Sequence, residues 1–266
     1  MALRVEISII YNMRLNIEED SFQLKNEEIR QYSRQMILSE ISLDGQLKLK
    51  KSKVLVVGAG GIGSTVLISL AGSGIGTLGI IDSDVVERSN LHRQPIHTLE
   101  RTGLSKVESA KIFIQQLNPY ITINTYNNRI DQRSSEIIKC YDYVIDGSDN
   151  ALTRYIVNDL CVVNNKILIS GASVKWESQI TIYNYEDGPC YRCLYPNCPK
   201  SDQMMSCSGS GVIGISPNIT GHILALQCIK LILGLSEILR KQMLIIDFLS
   251  DNYKKVKIRG KRKEYS

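Results

Sequence analysis

The chain has 266 residues, of which 43% are hydrophobic and 22% charged, which excludes a disordered protein and suits one large α/β domain or two small ones. The net charge of the chain is +5, but residues 254–266 alone have a net charge of +6. The rest of the chain is therefore close to neutral and is not a basic DNA-binding domain. We expect that basic stretch to be a solvated strand end, with an acidic or RNA partner as the alternative.

The first apolar stretch gives no secretion signal, because charged residues interrupt it at Arg4, Glu6 and Arg14. The longest apolar region, 212–235, contains His222 and Lys230 and is too polar for a membrane span. The seven cysteines show no regular disulfide framework. We therefore expect a cytoplasmic, reduced protein without a membrane partner.

In chain order, strands alternate with helices through the first part of the chain. Residues 1–25 have no clear pattern and are treated as an N-terminal extension. Apolar spacing then predicts helices over 27–39, 64–71, 105–118 and 151–163, and strands over 53–57, 77–81, 121–126, 143–145 and 167–170. The third helix should start with a capping box from Ser105 to Glu108. This alternation predicts a Rossmann-like, doubly wound, mainly parallel sheet.

The second part of the chain has a different pattern. It predicts strands over 179–185, 243–248 and 253–258, together with one long apolar helix over 217–233. Neither an internal repeat nor a long linker is evident. We therefore predict one continuous α/β domain over 26–266, in which antiparallel strands extend the parallel sheet.

A glycine-rich turn follows the first strand. Gly58, Gly60, Gly61 and Gly63 would let the backbone turn tightly and approach phosphates at a helix N-terminus. The turn suits NAD, FAD and ATP equally, and a purely structural turn remains an alternative. Asp82 follows the second strand, where its carboxylate could bond both ribose hydroxyls of a nucleotide. A cap or turn residue is the alternative.

A polar group follows Asp82 in the sequence. It consists of Ser89, Asn90, Arg93, Gln94 and Lys106. A carboxylate that attacks a polyphosphate is itself an anion, so its reaction needs fixed cations on the phosphates. Arg93 and Lys106 could supply them, although either could be a surface charge. Asp84 is expected to be a turn residue.

Carboxylates also follow the strand at 143–145, at the edge where open α/β sheets bind ligands. Asp146 and Asp149 lie there, and a carboxylate at this place suits Mg²⁺ on a bound polyphosphate. Asp149, beside Asn150, could instead cap the following helix.

Cys190 and Cys193 form a Cys-x-x-Cys pair, which is half of a tetrahedral zinc site. No second such pair exists in the chain, and two unliganded thiols are the alternative. The loop that follows, 194–211, contains Cys207. An exposed loop thiol is a candidate nucleophile, although a lone loop cysteine is often inert.

Together these residues resemble the MoeB/ThiF-type adenylyltransferases that activate ubiquitin-like sulfur carriers. They are most similar to the eukaryotic members that serve molybdopterin synthesis and tRNA thiolation. The similarity runs from about residue 31 to residue 262 and includes the motifs at 34–35, 58–63, 89–94, 106–110, 146–150, 179–181 and 189–194.

The resemblance implies an enzyme that uses ATP, Mg²⁺ and Zn²⁺. It implies ATP contacts at Gly61, Asp82, Asn90, Arg93, Lys106, Asp149 and Asn150, with Asp149 near Mg²⁺. Arg34 would act on the ATP of the neighbouring subunit, which implies a homodimer. Cys207 would form a thioester or persulfide with a carrier ending in Gly-Gly, and Cys190 with Cys193 would be the first zinc pair. Sulfur would come from a cysteine desulfurase or a rhodanese-type donor.

One departure from the family pattern concerns zinc. The second zinc pair of the family follows a basic strand like 256–262, and this chain ends at Ser266. We expect a fragment of a longer protein, which could continue into a rhodanese-like domain, rather than a degenerate site. Two other functions stay open: an NAD-dependent dehydrogenase, and a tRNA-modifying dehydratase that shares the adenylating core. A non-catalytic scaffold is disfavoured because the ATP-site residues are present.

Overall fold

The computed structural model describes residues 23–198 and 211–259, in which helices and strands alternate. The strands are β1 (Lys53–Val57), β2 (Thr77–Ile81), β3 (Thr122–Tyr126), β4 (Tyr143–Asp146), β5 (Ile167–Val174), β6 (Glu177–Tyr183), β7 (Gln242–Asp247) and β8 (Asn252–Lys257). The α-helices are α1 (Asn26–Met36), α2 (Ser42–Lys51), α3 (Gly61–Gly72), α4 (Lys106–Leu117), α5 (Ser135–Lys139), α6 (Ala151–Val163), α7 (Tyr191–Leu194) and α8 (Ile215–Leu233).

These strands form one sheet in the order β3-β2-β1-β4-β5-β6-β7-β8. The first five in that order are parallel, and β6, β7 and β8 continue the sheet in antiparallel fashion. The predicted doubly wound sheet with an antiparallel extension is therefore confirmed. The chain runs outward from β1 to β3 and then returns to β4 on the other side of β1. This reversal opens a crevice at the carboxyl ends of β1 and β4.

Helices cover both faces of the sheet, which explains why its central strands are continuous apolar runs. Val56 of β1 packs with Leu70 and Leu224, from α3 and α8, on one face. Leu55 of the same strand packs with Leu160, from α6, on the other. Adjacent residues of one strand thus enter separate core clusters, because side chains alternate across a sheet.

Helix α8 crosses α3 at very short range. A Cβ atom at Gly221 would overlap the Thr65 hydroxyl and the Ile62 carbonyl. Thr65 donates hydrogen bonds to the carbonyl oxygens of Ile62 and Asn218, at 3.1 and 3.0 Å. The crossing therefore fixes α3, the helix that follows the glycine-rich turn. Among the described helices, α8 included, none has the length and apolar character needed to span a membrane.

Two local predictions differ from the structure. Helix α2 was not predicted, because Gly45 interrupts a short, lysine-rich segment in which few residues are buried. The predicted capping box is only half formed. The Ser105 hydroxyl accepts the Glu108 N–H at 3.4 Å, but the Glu108 carboxylate accepts a hydrogen bond from the Thr125 hydroxyl at 2.8 Å. This bond joins α4 to β3, a long-range contact that competes with the local one.

Candidate functional site

A cleft of about 1060 Å³ opens at the carboxyl ends of β1, β2 and β4, the place where open α/β sheets bind their ligands. Most of the predicted site residues line it together: Gly58, Gly60, Gly61, Asp82, Asn90, Arg93, Gln94, Lys106, Asp149 and Asn150. The structure thus brings together residues that lie far apart in the sequence.

The glycine-rich turn forms one wall of the cleft. Gly58 has a φ of +90°, a conformation that favours glycine, and its N–H donates to the Ile81 carbonyl at 2.9 Å. Gly60 caps α3, so the N-terminus of this helix faces the cleft and favours a bound anion. Gly63 lies behind the cleft surface, because a Cβ atom there would overlap the Gly58 carbonyl. Its role is therefore to let the turn pack against its own helix.

Asp82 follows β2 directly and accepts two backbone hydrogen bonds. Its Oδ2 accepts the Ala59 N–H at 2.7 Å, and its Oδ1 accepts the Asp84 N–H at 2.8 Å. Burial raises the pKa of Asp82, whereas the nearby Lys106 ammonium and these two amides oppose the rise. Each carboxylate oxygen can accept a further hydrogen bond from a ligand hydroxyl.

Lys106 starts α4 and forms an ion pair across the cleft wall. Its ammonium lies 2.8 Å from the Asp84 carboxylate. The lysine side chain is 7% exposed, whereas that of Asp84 is 60% exposed. Asp84 lies in the turn after β2, as expected, and this ion pair is a contact that the sequence did not predict. The pair holds the buried cation at the edge of the cleft, where a ligand phosphate could exchange with the carboxylate.

Arg93 is held by the short 3₁₀ turn Arg88–Asn90 that precedes it. Its guanidinium donates to the Asn90 side-chain oxygen at 2.9 Å and to the Ser89 carbonyl at 3.4 Å. Ser89 itself is exposed and does not line the cleft; its hydroxyl donates to Glu87 at 3.3 Å. The predicted serine therefore contributes its backbone rather than its side chain.

Two amide side chains complete this wall. Gln94 is 3% exposed and lines the cleft, and its side-chain oxygen has no hydrogen-bond partner among the described residues. Such a buried acceptor is what a polar ligand would satisfy. Asn218, which the sequence did not single out, donates to the carbonyl oxygens of Arg93 and Gly61, at 2.8 and 3.2 Å. Helix α8 thereby ties the arginine to the glycine-rich turn.

The opposite wall is the junction of β4 and α6. Asn150 is the N-cap of α6, and its side chain accepts the Thr153 N–H at 2.9 Å, so the cap is Asn150 and not Asp149. Asp149 is exposed and lines the cleft. Asp146 is fully buried and accepts hydrogen bonds from the Ser170 hydroxyl and the Ser148 N–H. Asp146 is thus structural, and Asp149 is the carboxylate that faces the cleft.

Further lining residues were missed by the sequence analysis. Residues 128–130 follow β3, and Arg154 lies in the first turn of α6, where it donates to the Ser148 carbonyl at 2.7 Å. Parallel strands end at one edge of a sheet, and β3 lies beside β2. Residues 128–130 could therefore have been predicted to line the cleft. Arg154 gave no such signal.

Three further predicted residues, Arg34, Cys190 and Cys193, do not line the cleft. The Cys190 and Cys193 sulfurs are 3.4 Å apart at the start of α7, close enough for both to contact one zinc ion. Within the described ranges no set of three or more His, Cys, Asp or Glu residues is arranged for a metal. Arg34 is exposed in the last turn of α1 and does not line the cleft of its own chain. Cys207 lies outside the described residues.

Most of the chain matches a known protein family. The model of the ThiF family matches residues 32–266. The "Adenylyltransferase and sulfurtransferase MOCS3" of Culex quinquefasciatus is 45% identical over 241 residues, covering 90% of this chain and 55% of the relative. The protein of the same name from Aedes aegypti is 42% identical over 262 residues, covering 98% and 60%. The chain thus spans little more than half the length of these relatives.

Solved structures share the fold. The structure titled "E. coli MccB + ATP" matches with a TM-score of 0.72 and 26% identity, covering 91% of this chain and 74% of that one. PaaA matches with a TM-score of 0.75 and 24% identity, covering 97% and 82%. The second similarity is evidence for the fold alone.

Proposed function

The chain belongs to the ThiF family, and from that premise we propose that it adenylates the C-terminal glycine of a ubiquitin-like sulfur carrier protein with ATP. One observation carries the proposal: a single cleft combines a helix N-terminus for phosphate, a carboxylate for ribose, and the cations Arg93 and Lys106. A dehydrogenase needs the first two, whereas an attack on a polyphosphate also needs the cations. The names of the relatives and the ATP-bound neighbour point the same way.

The reaction forms one bond and breaks one. A carboxylate oxygen of the carrier bonds to the α-phosphorus in line with the bridging oxygen, which leaves with its electron pair as pyrophosphate. The turn amides at Gly60 and Gly61, together with Arg93, would stabilise the negative charge that builds up on the phosphates. Because these groups are already fixed by the fold, little reorganisation is needed during the reaction.

Asp82 would accept the ribose hydroxyls, while Lys106 would exchange its contact with Asp84 for one with a phosphate. Asp149 is the residue that would hold Mg²⁺, because it is the exposed carboxylate at the junction of β4 and α6. Mg²⁺ binds proteins through one or two carboxylates plus substrate phosphates, so the absence of a larger ligand set among the described residues suits it. When bound, it neutralises phosphate charge.

Arg34 would act on the ATP of a second subunit, so that the enzyme works as a homodimer. Its exposed position at the end of α1, outside the cleft of its own chain, supports this proposal. Cys190 and Cys193 would supply two of four zinc ligands, the other two coming from beyond the described residues. We place the enzyme in the cytoplasm, with molybdopterin synthesis or tRNA thiolation as its pathway.

Cys207 would act after adenylation: its thiolate would displace AMP from the acyl-adenylate to form a thioester, or it would carry sulfur handed over as a persulfide by a desulfurase or rhodanese-type donor. A Cys207→Ala variant should then keep pyrophosphate exchange but lose any reducible adduct with the carrier. Wild-type thiolation by the full-length variant would reject this role, and so would loss of exchange.

Exchange between ATP and labelled pyrophosphate tests the proposed reaction. We expect exchange only with carriers that end in Gly-Gly, and none when the last glycine is deleted. Exchange supported by tRNA instead would indicate the dehydratase, and tight NAD binding without exchange would indicate the dehydrogenase.

A further inference from the structure

A buried histidine lies directly behind the glycine-rich turn, outside the cleft. His97 is 5% exposed and follows the segment that carries Arg93 and Gln94. Its Nε2 lies 2.9 Å from the Ala59 carbonyl oxygen, and its Nδ1 lies 2.9 Å from the Ser109 hydroxyl. Both ring nitrogens are thus used inside the fold.

These partners determine the position of the ring proton. A carbonyl oxygen only accepts, so Nε2 must carry the hydrogen that is donated to Ala59. Nδ1 then has a lone pair and accepts the hydroxyl hydrogen of Ser109. The Ala59 carbonyl therefore selects the Nε2–H tautomer of the ring, and the Ser109 hydroxyl satisfies the other nitrogen and holds the ring in place.

The bond to Ala59 orients a peptide of the turn. The Ala59 carbonyl belongs to the same peptide as the Gly60 N–H, and all described peptides are trans. In a trans peptide these two groups point in opposite directions. Because His97 holds the carbonyl from behind, the N–H of Gly60, a cleft-lining residue, is directed to the other side. The Ala59 N–H is held in turn by Asp82 at 2.7 Å.

Through its second contact, with Ser109, His97 also joins the glycine-rich turn to α4. Ser109 lies three residues after Lys106, so both are on one face of that helix. Arg101 donates to the Ser109 carbonyl at 3.1 Å and fixes this turn of the helix. One chain of contacts thus runs from Ser109 through His97 to Ala59 and Asp82, and it links α4, the glycine-rich turn and the end of β2.

We propose that His97 is a positioning residue of the nucleotide site, which holds the Ala59–Gly60 peptide in the orientation that phosphate binding requires. The inference rests on the proposed function, because it assumes a nucleotide phosphate at the glycine-rich turn. His97 does not touch the substrate. Replacing His97 should therefore change ATP affinity. The size of the change should depend on whether the new side chain can still donate a hydrogen bond from the position of Nε2.

Two replacements separate this role from simple packing. The amide nitrogen of Gln reaches about as far as Nε2, so His97→Gln can still donate to Ala59, whereas the shorter His97→Asn reaches only the position of Nδ1. We expect His97→Asn to weaken ATP binding about tenfold or more, as loss of one oriented peptide would, and His97→Gln to stay within about threefold of wild type. Isothermal titration with ATP gives these affinities without a carrier.

The control is a second serine–histidine pair that does not touch the turn. His222 is exposed, and its Nδ1 lies 2.7 Å from the Ser69 hydroxyl. His222→Asn should leave ATP affinity unchanged. Ser109→Ala removes the hydroxyl that holds Nδ1 of the ring, with little loss of volume, and we expect it to weaken ATP binding about threefold, which keeps the test valid if His97→Asn does not fold.

Equal loss of ATP affinity in the Gln and Asn variants, or wild-type affinity in both, would overturn the role of His97. If both histidine variants fail to fold, wild-type ATP affinity in Ser109→Ala would overturn it instead. Failure of the proposed function would look different, because the wild-type chain itself would then show no carrier-dependent pyrophosphate exchange.

Discussion

At the scale of single residues, the site contains two kinds of group. Some face a ligand in the cleft, and others lie behind the cleft and hold the first kind in position. Arg93 and Asp149 line the cleft, whereas His97 lies outside it and acts through its contacts with Ala59 and Ser109. Both kinds can change activity, but only the first should do so without changing the shape of the site.

Arg93 gives the most direct residue-level prediction. Arg93→Ala should lower pyrophosphate exchange about a hundredfold, because one preorganised charge donor is lost from the transition state. Arg88→Ala is a matched control, since Arg88 lies on the adjoining 3₁₀ turn but does not line the cleft. Exchange within a few-fold of wild type in a folded Arg93→Ala protein would reject the assignment.

His97 should also make stability depend on pH. Burial, helped by the positive charges of Lys106 and Arg101 and partly opposed by the hydrogen bond to Ala59, lowers the pKa of His97 to about 4. The folded protein thus keeps the ring neutral while the unfolded chain gains a proton below about pH 6.5. The stabilisation is therefore complete above that pH and decreases as the pH falls toward 4.

Urea unfolding of wild type and His97→Gln at about pH 7.5 and pH 5 measures this effect. The wild type should lose about 2 kcal/mol more than the variant between these pH values, because glutamine does not titrate. Parallel losses in the two proteins would show that His97 titrates normally.

Motifs can be found in the sequence, but the contacts between individual side chains cannot. Ten residues of the cleft were predicted, because they lie in short motifs after strands or at the start of helices, whereas residues 128–130 and Arg154 were missed. The pairing of Lys106 with Asp84 and of His97 with Ala59 could not be predicted, because these partners are 22 and 38 positions apart and meet only in the folded chain. A single histidine among apolar residues carries no local sign of what it will contact.

At the scale of elements, the site depends on how closely α3 approaches β1. Gly63 permits this approach, because its lack of a Cβ atom leaves room for the Gly58 carbonyl. The strands around it were predictable, since strands buried on both faces are apolar runs. The exact start of α3 could not be predicted. The helix begins at Gly61, three residues before the predicted range, whereas helix propensity disfavours a start at glycine.

Two glycines of the same helix give a matched test. Gly63→Ala should destabilise the protein by about 3 kcal/mol and abolish ATP binding, because the overlap involves backbone atoms that cannot move aside. At Gly72, the last residue of α3, nothing lies within 4 Å of an added Cβ. Gly72→Ala should therefore stabilise the protein by about 0.5 kcal/mol and leave ATP binding intact.

Thermal unfolding and ATP titration of the two variants check this prediction. Similar stability of Gly63→Ala and wild type would show that the turn tolerates a side chain and that the close approach is unimportant.

At the scale of the whole molecule, we propose that Arg34 completes the site of a second subunit. Arg34 and Asp149 belong to different parts of the chain, and only Asp149 lines the cleft of its own subunit. If Arg34 acts in trans, a mixture of inactive Arg34→Ala and inactive Asp149→Ala proteins should recover part of the exchange activity, because one of the two sites in a mixed dimer keeps both residues. Mixed dimers that form but stay inactive would contradict action in trans.

The central claim is that the cleft transfers AMP to the carboxylate of a carrier. The intact mass of a Gly-Gly carrier, measured after brief incubation with the chain, ATP and Mg²⁺, tests it most directly. We predict one AMP added at the carrier C-terminus, none on a carrier that lacks its last glycine, and about a hundredfold slower addition with Arg93→Ala. A carrier that remains unmodified although ATP binds in the cleft, or AMP attached to any other group, would contradict the proposed reaction.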